Sequence, residues 1–260
     1  MPGINELKLM SEPKPFATVT HGDSQEAGRR GRLVELLRAN PLPQDEILPN
    51  LGLFLTSQTL SRLLFMDFLY RQIIPVQGVV IEFGCRWGQN IATFTALRGI
   101  YEPFNRLRKI IAFDSFSGFP STDLRDGPKM IKGGYSVTEN YEKYLAEIIQ
   151  LQEQESPLPH LRKHEIIKGD VTETVKAYFE ANPHTIVALA YFDLDLYQPT
   201  KTCLDLIKDR ITPGTVLGFD ELNDPDTPGE TLAFQECLGL RNVAVKRFPY
   251  NARTSYVVIP

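Results

Sequence analysis

Cysteine is scarce in this chain and odd in number. Cys85, Cys203 and Cys237 are its three cysteines, and none stands at metal-ligand spacing, so neither a disulfide framework nor a cysteine-held zinc is expected. A long apolar run is missing too. The best candidate, residues 51–81, is broken by Arg62, Asp67 and Arg71, short of the roughly 20 apolar residues a bilayer demands. The opening MPGINELKLMSEPKPF lacks the apolar core of a signal peptide, and with the unpaired cysteines this sets the expectation of a cytoplasmic protein. A net charge of −4 without any Lys/Arg run argues against nucleic acid and against an anionic membrane as partners. The hydrolase signature G-x-S-x-G is absent, and none of His21, His160, His164 and His184 closes a strand-like run, so no catalytic histidine is assigned.

What is present is a repeated pattern. At 260 residues and 42 % apolar composition the chain can bury a substantial core in one large domain or two small ones. Five apolar segments of strand length each deliver a carboxylate at or near the carboxyl end: GVVIEFG (78–84), KIIAFD (109–114), HEIIKGD (164–170), VALAYFD (187–193) and TVLGFDE (215–221). Helix-like text separates them, and NVAVKRFPY and TSYVVIP read as a closing hairpin. The expected fold is therefore α/β, a doubly wound, mostly parallel sheet with an antiparallel C-terminal hairpin strand. Residues 1–50 read as an N-terminal arm with a short helix over RLVELLRAN, and residues 51–260 as one domain, opened by a helix from Thr56. The stretch 116–162 between the second and third strands, with Gly133-Gly134 as a hinge, is long enough to be a lid.

In such sheets ligands bind outside the carboxyl ends of the strands. There Glu82-Phe83-Gly84-Cys85-Arg86-Trp87-Gly88 forms an E-x-G-x-x-x-G loop, whose glycines permit close backbone approach ahead of a helix N-terminus. The same two glycines would serve a plain tight turn. A dinucleotide site prefers G-x-G-x-x-G with an acid about 20 residues on, which puts an NAD-dependent oxidoreductase second. Asp114, followed by Ser115, is placed to accept two ribose hydroxyls. Asp170 faces an adenine or simply caps the next helix. Asp193, Asp220 and Glu221 end two strands expected to be neighbours, and carboxylates so placed repel unless a hard cation such as Mg²⁺ lies among them. Asp195 either shares the side of Asp193 on an extended strand or lies in the following turn. Cys85 reads as a small buried residue, not a nucleophile.

With the Glu82–Gly88 loop, AFDSFSGFP (112–120), KGDVTET (168–174), FDLDLYQPT (192–200) and TPGTVLGFDE (212–221) in this order, residues 50–260 resemble class I S-adenosylmethionine-dependent methyltransferases. Within them the chain resembles the macrocin O-methyltransferase (TylF-like) family, which methylates sugar hydroxyls of bacterial natural products, and among its members one acting on a deoxysugar in an enediyne antibiotic pathway. The resemblance implies a Rossmann-like sheet and S-adenosylmethionine as cofactor. Glu82, Gly84 and Gly88 would surround its methionine part, Thr56 and Ser57 its carboxylate, Asp114 with Ser115 the ribose, and Asp170 the adenine. Asp193 would both touch the cofactor and act as catalytic residue, holding Mg²⁺ with Asp220 and Glu221. The family's usual Asp-Asp is Asp220-Glu221 here, and Leu196 stands where related catechol enzymes carry a lysine base. The implied acceptor is a small glycosylated molecule or nucleotide-sugar, bound by a homo-oligomer, with Tyr135, Tyr141 and Tyr144 of the insertion packing on sugar faces or merely on the domain. A non-catalytic nucleotide-binding protein would have lost the strand-end acids, and Asp114, Asp193 and Asp220 are all present.

Overall fold

The five apolar runs form five parallel strands: β1 (Val79–Phe83), β2 (Ile110–Asp114), β3 (His164–Lys168), β4 (Val187–Phe192) and β5 (Ile211–Phe219). The structure, a computed structural model, describes residues 22–260. Two short strands, β6 (Lys246–Arg247) and β7 (Ser255–Val258), complete a seven-stranded sheet of order β3-β2-β1-β4-β5-β7-β6, with β7 antiparallel to both neighbours. The chain begins in the middle, fills one side with β2 and β3, then crosses to β4, so the topological switch point lies between β1 and β4.

Helices cover both faces, as a parallel sheet buried on both sides requires. On one face lie α2 (Ser57–Ile73), α3 (Gln89–Tyr101) and α4 (Tyr141–Gln154), which bury Phe65, Leu69, Phe94 and Ile149. On the other lie α5 (Val171–Ala181), α6 (Tyr197–Ile207) and α7 (Pro228–Leu238), burying Val175, Phe179, Leu204 and Phe234. A row of phenylalanines runs through this second face. Phe113, Phe83, Phe192 and Phe219 are register partners on four adjacent strands, with ring centroids 5.7, 5.0 and 4.9 Å apart along the row. The residues that follow them are Asp114, Gly84, Asp193 and Asp220.

Two boundaries differ from expectation. β5 starts at Ile211, before the Pro213-Gly214 turn signal, because a register irregularity opposite Val187 and Leu189 absorbs it. Of the arm expected within residues 1–50, residues 1–21, His21 among them, lie outside the described residues; α1 (Glu26–Arg38) begins earlier than RLVELLRAN and buries none of its residues. Among the described residues no helix is long and apolar enough to cross a membrane.

The insertion is tied down at several points. Glu153 at the end of α4 is buried, accepts the Lys163 N–H and pairs with Arg98 and His164 Nδ1. Nearer its start, Asp126 Oδ1 accepts the Tyr197 N–H at 2.6 Å and the Arg125 guanidinium lies 3.6 Å above the Tyr197 ring. Gly133-Gly134 is hydrogen bonded to Phe119 in both directions, which closes the loop that overhangs the switch point.

Candidate active site

A cavity of about 470 Å³ opens at the switch point, lined by the Gly84–Trp87 loop, Asp114, Phe119, Tyr135, Asp170, Asp193 and Asp220. That volume is typical of small-molecule sites, roughly 300–1,000 Å³. Gly84 is left-handed (φ 86°), and a Cβ there would lie 1.9 Å from the Asp193 carbonyl oxygen, so the tips of β1 and β4 meet only because the side chain is missing. Gly88 serves packing: its φ is 77° and a Cβ would strike Leu145 of the insertion at 2.3 Å. It caps α3 from outside the cavity lining.

Asp114 accepts the Arg86 N–H at 2.7 Å and the Phe116 N–H at 2.6 Å. Burial, first, pushes its carboxyl up, and these two donors oppose the shift. Ser115 holds the next turn, its Oγ donating to the Gly118 carbonyl at 2.7 Å. Asp170 is an N-cap, accepting the Thr172 N–H at 2.9 Å, and it lines the cavity as well. Thr56 is likewise a cap: its hydroxyl accepts the Thr59 N–H at 3.2 Å, and neither it nor Ser57 lines the cavity. Glu82 lies behind the loop, buried, with Oε2 unpartnered, and burial pushes its carboxyl up to about 8. Burial also holds the Cys85 thiol well above its usual range, which leaves it inert.

The expected metal ligands have a different neighbour. Arg62 of α2 reaches between them, donating to Asp193 Oδ2 at 2.6 Å and Asp220 Oδ1 at 2.7 Å, while its Nε donates to Asn90 Oδ1 at 3.0 Å. Tyr191 adds a hydroxyl to Asp220 Oδ1 at 2.8 Å. Glu221 turns away from Asp193 toward Arg253 and Asp195. Burial and the Asp195 carboxylate push Glu221 up to about 12, against the opposing pull of Arg253. Asp195 itself lies in the turn after β4, with φ 59°. The repulsion between Asp193 and Asp220 that called for a cation is thus relieved by a guanidinium. Among the described residues no group of three or more His, Cys, Asp or Glu side chains is placed to hold a metal. As arranged, Asp193, Asp220 and Glu221 do not fit Mg²⁺, a correction to the expectation drawn from their sequence positions.

Arg62, Arg253, Tyr191 and Asn90 were not singled out by sequence for the site. The available signal for Arg62 was a charge within a helix that otherwise supplies core residues, shared with Asp67 and Arg71 of the same helix, and so did not single it out. Glu230 was hidden in helical text; it is fully buried with neither oxygen partnered, and burial followed by Asp220 and Asp193 pushes it well up.

A doubly wound sheet with an acid-glycine loop at its switch point, an aspartate closing the next strand and an antiparallel β7 defines the class I methyltransferases. No protein-family model and no curated protein matches the chain. Solved structures do. The crystal structure of CalS11, a calicheamicin methyltransferase, is 40% identical over 95% of this chain and 99% of that one, with a TM-score of 0.89. The apo structure of CalS11, described as a TDP-rhamnose 3'-O-methyltransferase of calicheamicin biosynthesis, matches at 39% identity over 92% of this chain and 96% of that one, TM-score 0.82. The O-methyltransferase NovP, at 15% identity over 76% of this chain and 79% of that one with a TM-score of 0.56, shares the fold. The chain belongs to the family of S-adenosylmethionine-dependent O-methyltransferases that includes CalS11.

Proposed function

We propose that this enzyme methylates a hydroxyl of a nucleotide-linked deoxysugar during antibiotic biosynthesis. The observation that carries the reading is the 40% identity to CalS11 along nearly the whole of both chains, together with the function stated for CalS11. S-adenosylmethionine would lie along the tips of β1 and β2, its ribose against Asp114 and its methionine end toward Glu82 and Gly84. The acceptor would enter over β4 and β5, under the loop held by Phe119 and Tyr135.

When bound, S-adenosylmethionine would supply its sulfonium methyl to the sugar oxygen, the carbon–sulfur bond electrons going to sulfur to leave S-adenosylhomocysteine, and Asp193 would take the hydroxyl proton. Burial and the neighbouring Asp220 push Asp193 up, whereas Arg62 and Arg253 hold Asp220 down. Asp193 can accept a proton only as the ionised carboxylate, and Arg62, 2.6 Å from its Oδ2, favours that form. Arg62 keeps that carboxylate aimed.

Two parts of the reading rest on surfaces. The overhanging insertion would act as the acceptor's cover, excluding water from the sulfonium. A homo-oligomer would cover Leu33, Val34 and Leu36 of α1 and the nearby Leu48 and Leu53, all exposed. The test is methyl transfer from labelled S-adenosylmethionine to a panel of nucleotide-sugars, TDP-rhamnose included, and to phosphate-free glycosides. Turnover of a nucleotide-sugar, lost in Asp193→Asn with cofactor affinity kept, is the expected result; equal turnover by Asp193→Asn would remove Asp193 as proton acceptor.

A further inference from the structure

The cavity wall carries three arginines: Arg62, Arg86 and Arg253. Two are committed, Arg62 to Asp193 and Asp220 and Arg253 to Glu221 and Asp224. Arg86 forms none of the ion pairs found among the described residues, and its Nε is buried without a hydrogen-bond partner. The residue is half-buried, and a buried N–H without an acceptor is costly. What holds the guanidinium is aromatic: its carbon lies 4.7 Å from the centroid of the Tyr135 ring and 5.9 Å from that of Trp87. Tyr135 packs edge-on against Phe119, 5.3 Å between centroids. The backbone is set as well, with φ 45° at Arg86 and its N–H bound to Asp114. The result is a pre-aimed planar cation in a wall otherwise rich in carboxylates.

We infer that Arg86 is the anchor for the diphosphate of a nucleotide-linked acceptor, and so the residue that selects such acceptors over phosphate-free glycosides. The inference rests on the acceptor class proposed above. Planar guanidinium matches phosphate oxygens in a two-pronged hydrogen bond, and a nucleotide-sugar carries its diphosphate next to the sugar that must reach Asp193. The rival anion is the cofactor's own carboxylate. Of the two rings against Arg86, Trp87 belongs to the β1 loop, but the nearer one, Tyr135, favours the acceptor, because Tyr135 and the Phe119 ring packed on it belong to the insertion, and Tyr135 lies close enough to Asp195, Glu221 and Arg253 to feel their charges. That is the β4–β5 end of the cavity, beyond the ribose-binding Asp114.

The experiment uses the full-length enzyme, its Arg86→Gln variant and the charge-keeping Arg86→Lys. Initial rates are measured with TDP-rhamnose, or with whichever nucleotide-sugar the wild type turns over, and calorimetry follows TDP and S-adenosylhomocysteine separately. Arg86→Gln is expected to raise the nucleotide-sugar KM by roughly tenfold or more, the loss of a charged hydrogen bond, with a much smaller change in kcat at saturation. TDP binding should vanish in step, Arg86→Lys should recover part of both, and S-adenosylhomocysteine affinity should hold. A fall in S-adenosylhomocysteine affinity with KM unchanged would overturn the assignment and give Arg86 to the cofactor; unchanged values throughout would overturn it too. Wild-type turnover of glycosides but of no nucleotide-sugar would instead overturn the acceptor class, and the role of Arg86 with it.

Discussion

Replacing Arg62 with methionine tests how the acidic crevice is held together. The guanidinium is 25% exposed and its partners Asp193 and Asp220 are 26% and 9% exposed, so the pair is screened more than a fully buried one. Breaking a buried pair costs about 3–5 kcal/mol, and the partial exposure places the expected loss near the lower end, about 3 kcal/mol at pH 8. Methionine keeps much of the stem that packs near Tyr191, so the change is mainly electrostatic. Two carboxylates left facing each other will hold a proton in the folded state that the unfolded chain, with ordinary carboxyls near 3.9, has already released. The folded variant then binds more protons than the unfolded one. Its stability falls as pH rises from about 4 through the raised folded value, by up to about 1.4 kcal/mol per unit. Urea denaturation followed by circular dichroism should therefore show a gap between wild type and Arg62→Met that shrinks to about 1–2 kcal/mol at pH 5.5. A gap that is the same at both pH values, or below about 0.5 kcal/mol at pH 8, would show that Arg62 is not the counterion of this pair.

Asp114→Asn should weaken S-adenosylhomocysteine binding by about 1.5–3 kcal/mol in calorimetry, and undiminished affinity in a folded variant would remove the ribose assignment. Glu82 is held protonated up to about pH 8 in the free protein, and a cationic cofactor beside it would favour the ionised form. Binding of S-adenosylmethionine should then release a proton and tighten as pH rises toward 8, levelling off above it; a pH-flat affinity would place the cofactor's charge elsewhere. Exhaustive chelation should leave turnover largely intact, since a guanidinium stands between Asp193 and Asp220. Loss of activity restored by Mg²⁺ alone would show that Arg62 withdraws from the pair during turnover.

The sheet was legible because its central strands are uninterrupted apolar runs, and such runs have no other economical home than a strand covered on both faces. Asp114, Asp193 and Asp220 were found for the same reason: each is the first charged residue after its run. What sequence could not show were partnerships across long separations. Arg62 lies 131 positions from Asp193 and 158 from Asp220, and no periodicity links them. The metal expectation rested on repulsion between carboxylates and did not reckon with Arg62, the side chain that lies between Asp193 and Asp220. Glu221 failed differently, because one residue's change of direction after β5 sends it to Arg253 and not to Asp193. Thr56 and Asp170 follow a local rule, a small polar side chain capping the helix it precedes, and the cap reading of Asp170 was open from the start.

The phenylalanine row behind the crevice has a consequence for how such an enzyme can change. Asp114, Gly84, Asp193 and Asp220 each follow one rung of it directly, so their mutual spacing is inherited from strand pitch and ring stacking inside the core. The four rungs belong to β2, β1, β4 and β5, and not to the insertion or to the loops after β4 and β5. The acceptor side can therefore be rebuilt, residue by residue, for a different sugar while Asp114, Gly84 and the proposed proton acceptor Asp193 keep their separation. A cavity opened within the row would have the opposite effect, blurring every catalytic distance at once without touching a single group that meets substrate.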